Sequence, residues 1–109
     1  IDYLAVKNDR MALFEEKSFL SDNGGLVGYG QYLSFAEIHA DVLRKSDSVM
    51  WWLVFASDGQ FLIYDASVKG FPKRDTVKHK RWGRMMEIPS GELEKVSEAE
   101  FKQSVLEFF

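Results

Sequence analysis

VMWWLVFASDGQFLIYDA, residues 49–66, decides how this chain folds. Its first eight residues, Val49 to Ala56, are continuously apolar. The shortness of that run and its aromatic and β-branched content favour a strand over a helix. Ser57-Asp58-Gly59 follows, and glycine tolerates the positive φ that a tight hairpin turn needs. Gln60 to Ala66 then returns as the partner strand, so the segment predicts an antiparallel hairpin. Successive strand side chains point to opposite faces. Trp51 and Trp52 therefore cannot enter the same core: one faces inward and the other lies on the second sheet face. A large aromatic left there marks an interface, either with a second copy or with another protein, unless another part of the chain folds over it.

Working outward, Tyr3 to Lys7 and Arg10 to Phe14 read as two short strands around an Asn8-Asp9 turn. Ser21 to Gly25 reads as a loop. Ser34 and Glu37 match a capping box, predicting a helix from there to about Lys45. Phe35, Ile38, Val42 and Leu43 form its apolar face, and Glu37, Asp41 and Arg44 its polar one. Residues 67–80 read as a polar loop, and Arg81 to Ile88 as a strand with a bulge at Gly83. Ser97 and Glu100 form a second capping box. Phe101, Val105, Phe108 and Phe109 then mark one face of a C-terminal helix. The order ββ-α-βββ-α predicts an α+β fold: an antiparallel sheet of about five strands with two helices packed on one face.

The 109 residues fit one domain, spanning 1–109, and can bury a core without staples. There is no Cys, so disulfides, thiolate nucleophiles and thiolate zinc sites are excluded. No apolar run approaches the roughly 20 residues of a membrane-spanning helix, so no membrane partner is expected. Nothing at the start, from Ile1, resembles a signal peptide, and a cytoplasmic location is the expectation.

Charge is distributed unevenly. Lys69, Lys73, Arg74, Lys78, Lys80, Arg81 and Arg84 are seven of the 14 Lys and Arg residues, although the net charge is −3. Asp75 alone opposes them within that stretch. Such local density suits phosphates or an acidic protein surface, and His79 and Trp82 are interleaved where they could stack on bases. The competing structural explanation is a solvated loop. The candidate anion or nucleic-acid site is Lys73, Arg74, Lys78, His79, Lys80, Arg81, Trp82 and Arg84. Trp51 and Trp52 are the candidate protein interface. The Glu-rich C-terminal segment reads as the outer face of a helix.

Other constellations carry less. Gly24-Gly25-Leu26-Val27-Gly28-Tyr29-Gly30 precedes a helix but lacks the Gly-Lys-Ser/Thr of a phosphate loop, and reads as a flexible turn. His39 sits on the apolar helix face, as a hydrogen-bonded, partly buried histidine. Neither it nor His79 has metal-ligand spacing, so no metal or cofactor is expected. Asp58 and Asp65, with Glu15, Glu16 and Lys17, could hold Mg²⁺ in a small nuclease, but they form no compact motif. No nucleophile elbow is present. The leading expectation is a non-enzymatic module binding nucleic acid or another anion through residues 69–84. The alternatives are a protein–protein inhibitor of the immunity or anti-defence type using an aromatic sheet face, and the metal-dependent nuclease.

Overall fold

The computed structural model describes residues 3–17, 20–21, 24–40, 48–57 and 59–109. The central hairpin forms as expected: β5 (Val49–Ser57) pairs antiparallel with β6 (Gln60–Asp65), with Gly59 at φ 77° in the turn. Asp58 lies outside the described residues. β1 (Tyr3–Lys7) and β2 (Arg10–Lys17) form the N-terminal hairpin. Asn8 and Asp9 both take positive φ there, the geometry of a two-residue turn that suits short polar side chains. β2 then lies parallel to β5, and β9 (Glu94–Ser97) closes the other edge. The result is a five-stranded sheet in the order β1-β2-β5-β6-β9.

The α+β class and a sheet of about five strands match the sequence expectation, but the parallel β2–β5 pair makes the sheet mixed and not antiparallel, and the strand expected over 81–88 belongs to a second sheet. β3 (Leu20–Ser21), β4 (Gly24–Gly28), β7 (Thr76–His79) and β8 (Gly83–Pro89) form it in the order β3-β4-β8-β7. The glycine-rich segment is thus a buried strand and not a flexible turn. A Cβ on Gly24 would lie 1.9 Å from the Ile88 carbonyl oxygen, and one on Gly25 would lie 2.5 Å from the Phe55 ring. Gly24 thus admits the backbone of its neighbouring strand β8, and Gly25 admits the Phe55 ring that seats the second sheet on the first.

Alternation assigns the two tryptophans. Trp51, Leu53 and Phe55 point into the main core, with Leu13 and Tyr64 beside them and Val27, Met86 and Ile88 from the second sheet. α1 (Tyr29–Ile38) completes that core with Tyr32 and Phe35, and the four-residue α2 (Ala66–Lys69) adds Ala66. Trp52 points the other way, where Phe101 of α3 (Glu98–Phe108) meets it at 5.7 Å between ring centroids. Phe101 also contacts Phe14 and Phe61. The helices therefore cover opposite faces of the five-stranded sheet instead of sharing one. The second sheet and α1 occupy the core face, so α3 packs on the opposite one, over Phe14, Trp52 and Phe61.

Two helix starts contrast. The Ser97–Glu100 capping box forms, with Ser97 Oγ accepting from the Glu100 amide at 3.1 Å and Glu100 accepting from the Ser97 amide at 3.2 Å. The Ser34–Glu37 box does not. Helix α1 begins five residues earlier, after Gly28, and Ser34 sits inside it, donating to the Gly30 carbonyl. Residues 41–47, including Val42 and Leu43, lie outside the described residues. Among the described residues, no helix is long and apolar enough to cross a membrane.

Candidate nucleic-acid interface

Much of the basic segment is a hairpin and not a loop. β7 and β8 pair in the register Thr76↔Met86, Val77↔Met85, Lys78↔Arg84 and His79↔Gly83. β8 is anchored by the buried Met85, Met86 and Ile88, and it lies between β4 and β7. Anchored on that strand, the turn at residues 80–82 projects from the sheet. The side chain of His79 fastens it: Nδ1 accepts from the amides of Arg81 at 3.0 Å and Trp82 at 3.3 Å. Gly83 supplies the positive φ, 75°, that ends the turn. The His79 imidazole stacks on the Trp82 indole, centroids 4.2 Å apart and planes 24° apart. Trp82 keeps 43% of its surface exposed.

The cations of the segment divide into two groups. Lys73, Lys78, Lys80 and Arg81 are exposed. Arg81 lies 5.8 Å from the Trp82 ring centroid. Among the described residues none of these four makes an ion pair. Arg84 is exposed too, but its guanidinium lies 4.0 Å over the Tyr29 ring and donates to Thr76 Oγ1 at 3.2 Å.

Arg74 belongs elsewhere, and its assignment to a binding surface is corrected. Its guanidinium forks onto Glu92 at 2.7 and 2.8 Å, with Nε donating to the Tyr32 hydroxyl at 3.0 Å and Nη2 to the Tyr64 hydroxyl at 3.2 Å. Both hydroxyls donate in turn, at 2.6 Å, to backbone carbonyls of the connecting segment, Tyr32 to Pro72 and Tyr64 to Gly70. The planar fork of arginine matches this set of acceptors. Arg74 holds the Glu92 carboxyl below the usual carboxylate range. Burial pushes both phenols above theirs, against the opposing pull of Arg74. The same fork raises the guanidinium further above its ordinary value. Lys69 adds a bond to the Glu92 carbonyl at 2.7 Å. This clasp ties residues 70–75 to α1, to β6 and to the turn at residues 90–92, and so fixes the segment that leads into the hairpin.

Between α1 and residues 71–76 lies a cleft of about 450 Å³. Leu33, Phe71 and Met86 give it apolar walls, and Lys73 and Arg84 stand at its rim. Nothing in the sequence pattern marks it. Tyr29, Tyr32, Tyr64 and Glu92 reach the basic segment from three other elements, and no local spacing connects them to it.

The remaining candidates disperse. Trp51 is fully buried and is a core residue, unavailable to a partner. Trp52 is half-covered by Phe101, so the aromatic sheet face is occupied largely from within the chain. Glu15 is buried with Lys17 3.8 Å away, and Asp65 accepts from Ser67. Among the described residues, no three side chains of metal-ligating type converge. His39 is half-buried as expected but packs edge-on against Phe71, and, against the expectation of a hydrogen bond, its Nε2 has no partner among the described residues.

Comparison of the chain with family models, with curated proteins and with solved structures finds no match.

Proposed function

We propose that this chain is a non-catalytic binding module that holds single-stranded nucleic acid on the β7–β8 hairpin. One observation carries the reading: a stacked aromatic pair, exposed Trp82 on half-buried His79, stands at the hairpin tip among cations that make no ion pair among the described residues. Stacking platforms flanked by Lys and Arg are what unpaired bases and their phosphates need together, and stacking is tolerant of sequence. Lys80 and Arg81 contact phosphates, which position a strand without reading it. A net-negative protein concentrates polyanion binding on a locally positive projection, because its overall charge is repulsive.

The test is quenching of Trp82 fluorescence by oligothymidylate, in a chain whose buried Trp51 and half-covered Trp52 serve as the internal background. Trp82→Phe should abolish the quench and retain binding. Lys80→Glu with Arg81→Glu should abolish both. Equal quenching by an acidic peptide of matched charge would favour an acidic protein partner instead, docking on the same cations along the free edge of β7.

A further inference from the structure

The cleft beside the hairpin joins two chemistries that one ligand class combines. Its walls are apolar, from Leu33, Phe71 and Met86, and its rim is cationic, from Lys73 and Arg84. Arg74, also in the lining, is neutralised by Glu92, and Asp75 is the one described carboxylate there. A third cation stands on the neighbouring strand, outside the lining itself. Lys78 stands directly across from Arg84, so both side chains lie on the same face of the sheet, the face that carries Met86. Like charges in directly opposed positions repel. Among the described residues neither has an ion-pair partner. An anion lying between them would convert that repulsion into two charge-assisted hydrogen bonds. Beside it, the Tyr29 ring and the Arg84 guanidinium already form a stack at 4.0 Å, a flat surface of the kind on which a heteroaromatic ring continues. A simple inorganic anion would use the rim and leave the apolar walls wet.

We propose that this cleft is a nucleotide subsite: it takes one nucleoside monophosphate unit, with the phosphate among Lys73, Lys78 and Arg84 and the base against the apolar wall. The inference rests on the reading of the hairpin as a nucleic-acid interface, and it adds a second, deeper contact to the stacking tip. The unit can come from a free mononucleotide or from one residue of a strand lying along the hairpin.

The full chain is titrated separately with adenosine monophosphate, inorganic phosphate and a ten-residue oligothymidylate, following backbone and methyl NMR signals. The expected result is saturable shifts at Leu33, Met86 and Arg84 with the mononucleotide or the oligonucleotide, and much weaker ones with phosphate alone. Shifts with both ligands identify a general nucleotide pocket, and shifts with the oligonucleotide alone identify a strand-borne unit. Leu33→Trp fills the cleft from an exposed position, and Lys78→Ala removes one phosphate ligand. Each should weaken the responding ligand by about tenfold or more, with the unliganded spectrum and melting temperature showing the fold retained. Trp82→Ala should weaken the oligonucleotide and leave the mononucleotide unchanged. If neither ligand moves the cleft signals, or both cleft variants bind as tightly as the parent, the subsite is overturned. Strand binding lost in Trp82→Ala but intact in both cleft variants overturns the subsite and leaves the hairpin reading standing. Mononucleotide binding in a chain that ignores oligonucleotides supports the subsite and removes the hairpin reading.

Discussion

Replacing Arg74 with alanine should destabilise this protein far more than replacing any neighbouring basic residue. The substitution removes two charged N–H donors from the Tyr32 and Tyr64 hydroxyls and the two-point bond to Glu92. Hydrogen bonds from charged groups contribute about 1.5–3 kcal/mol each when desolvated. Three features reduce the sum here. Both hydroxyls keep their own carbonyl acceptors, Pro72 and Gly70, so neither is stranded. The Glu92 side chain is 36% exposed and water can replace part of what it loses. The longer Tyr64 contact, at 3.2 Å, is the weaker of the two phenol bonds. A net loss of about 3 kcal/mol results, a large part of the roughly 5–15 kcal/mol a domain possesses. It corresponds to a fall in Tm of about 10–15 °C. Lysine at this position keeps the charge but cannot fork, and should recover less than half of the loss. Lys73→Ala, one residue away and exposed, should stay within about 0.5 kcal/mol of the parent. Urea unfolding followed by tryptophan fluorescence and by circular dichroism measures all three. Equal midpoints for Arg74→Ala and Lys73→Ala would refute the clasp as a fold-setting element.

The same clasp makes stability depend on pH at both ends. The Glu92 carboxyl is held below its unfolded value of about 4.3, so its contribution is present above that pH and is lost as pH falls through the folded value. Tyr32 and Tyr64 are raised above about 10, so their contribution is full below pH 10 and is lost as pH rises through the folded values. Urea midpoints across pH should therefore fall at both limbs, and Arg74→Ala should flatten the acid limb; an unchanged acid limb in that variant contradicts the assignment. Gly25→Ala should cost about 1–3 kcal/mol by pressing a methyl into the Phe55 ring. Gly28→Ala, with nothing within 4 Å, serves as its control in thermal melts, and equal effects would count against the close packing of the two sheets. Phe101→Ala should cost about 2–3 kcal/mol by opening the Phe14, Trp52 and Phe61 cluster, against almost nothing for the exposed Leu106→Ala. A parent-like melt of Phe101→Ala would make α3 a peripheral appendage.

The parts of the fold legible in the sequence are those determined by neighbours in sequence. The 49–66 hairpin, the Asn8-Asp9 turn and the Ser97–Glu100 box each rest on residues within one or two turns of chain. The second sheet was hidden because β4, one of its two central strands, carries the wrong local signal. Gly24 and Gly25 resemble a turn until Ile88 and Phe55, remote in sequence, occupy the space beside them. Ser34 was misleading for the opposite reason: it has capping chemistry, yet the helix starts at Tyr29, where Gly28 offers no side-chain cap. The C-terminus of α3 shows the same limit. Arg10 donates to the Phe108 carbonyl and Asn8 to that of Phe109, across about a hundred residues that no window spans. Within the candidate site, clustering of charge was visible but its division was not. Arg74 and Lys73 are adjacent and similar in type, and only the fold sends one into a buried network and leaves the other in water.

The proposed function has the β7–β8 hairpin and Lys73 beside it grip nucleic acid through their exposed cations. The most direct measurement is the affinity for a fluorescent single-stranded oligonucleotide as a function of salt, by anisotropy, for the parent and for the Lys80→Ala, Arg81→Ala double variant. With about four phosphate contacts from Lys73, Lys78, Lys80 and Arg81, the slope of log K against log salt should be roughly −3. The double variant should lose about half of that slope and retain the parent's melting temperature. No binding at low salt, or a slope unchanged by the two substitutions, would contradict the account.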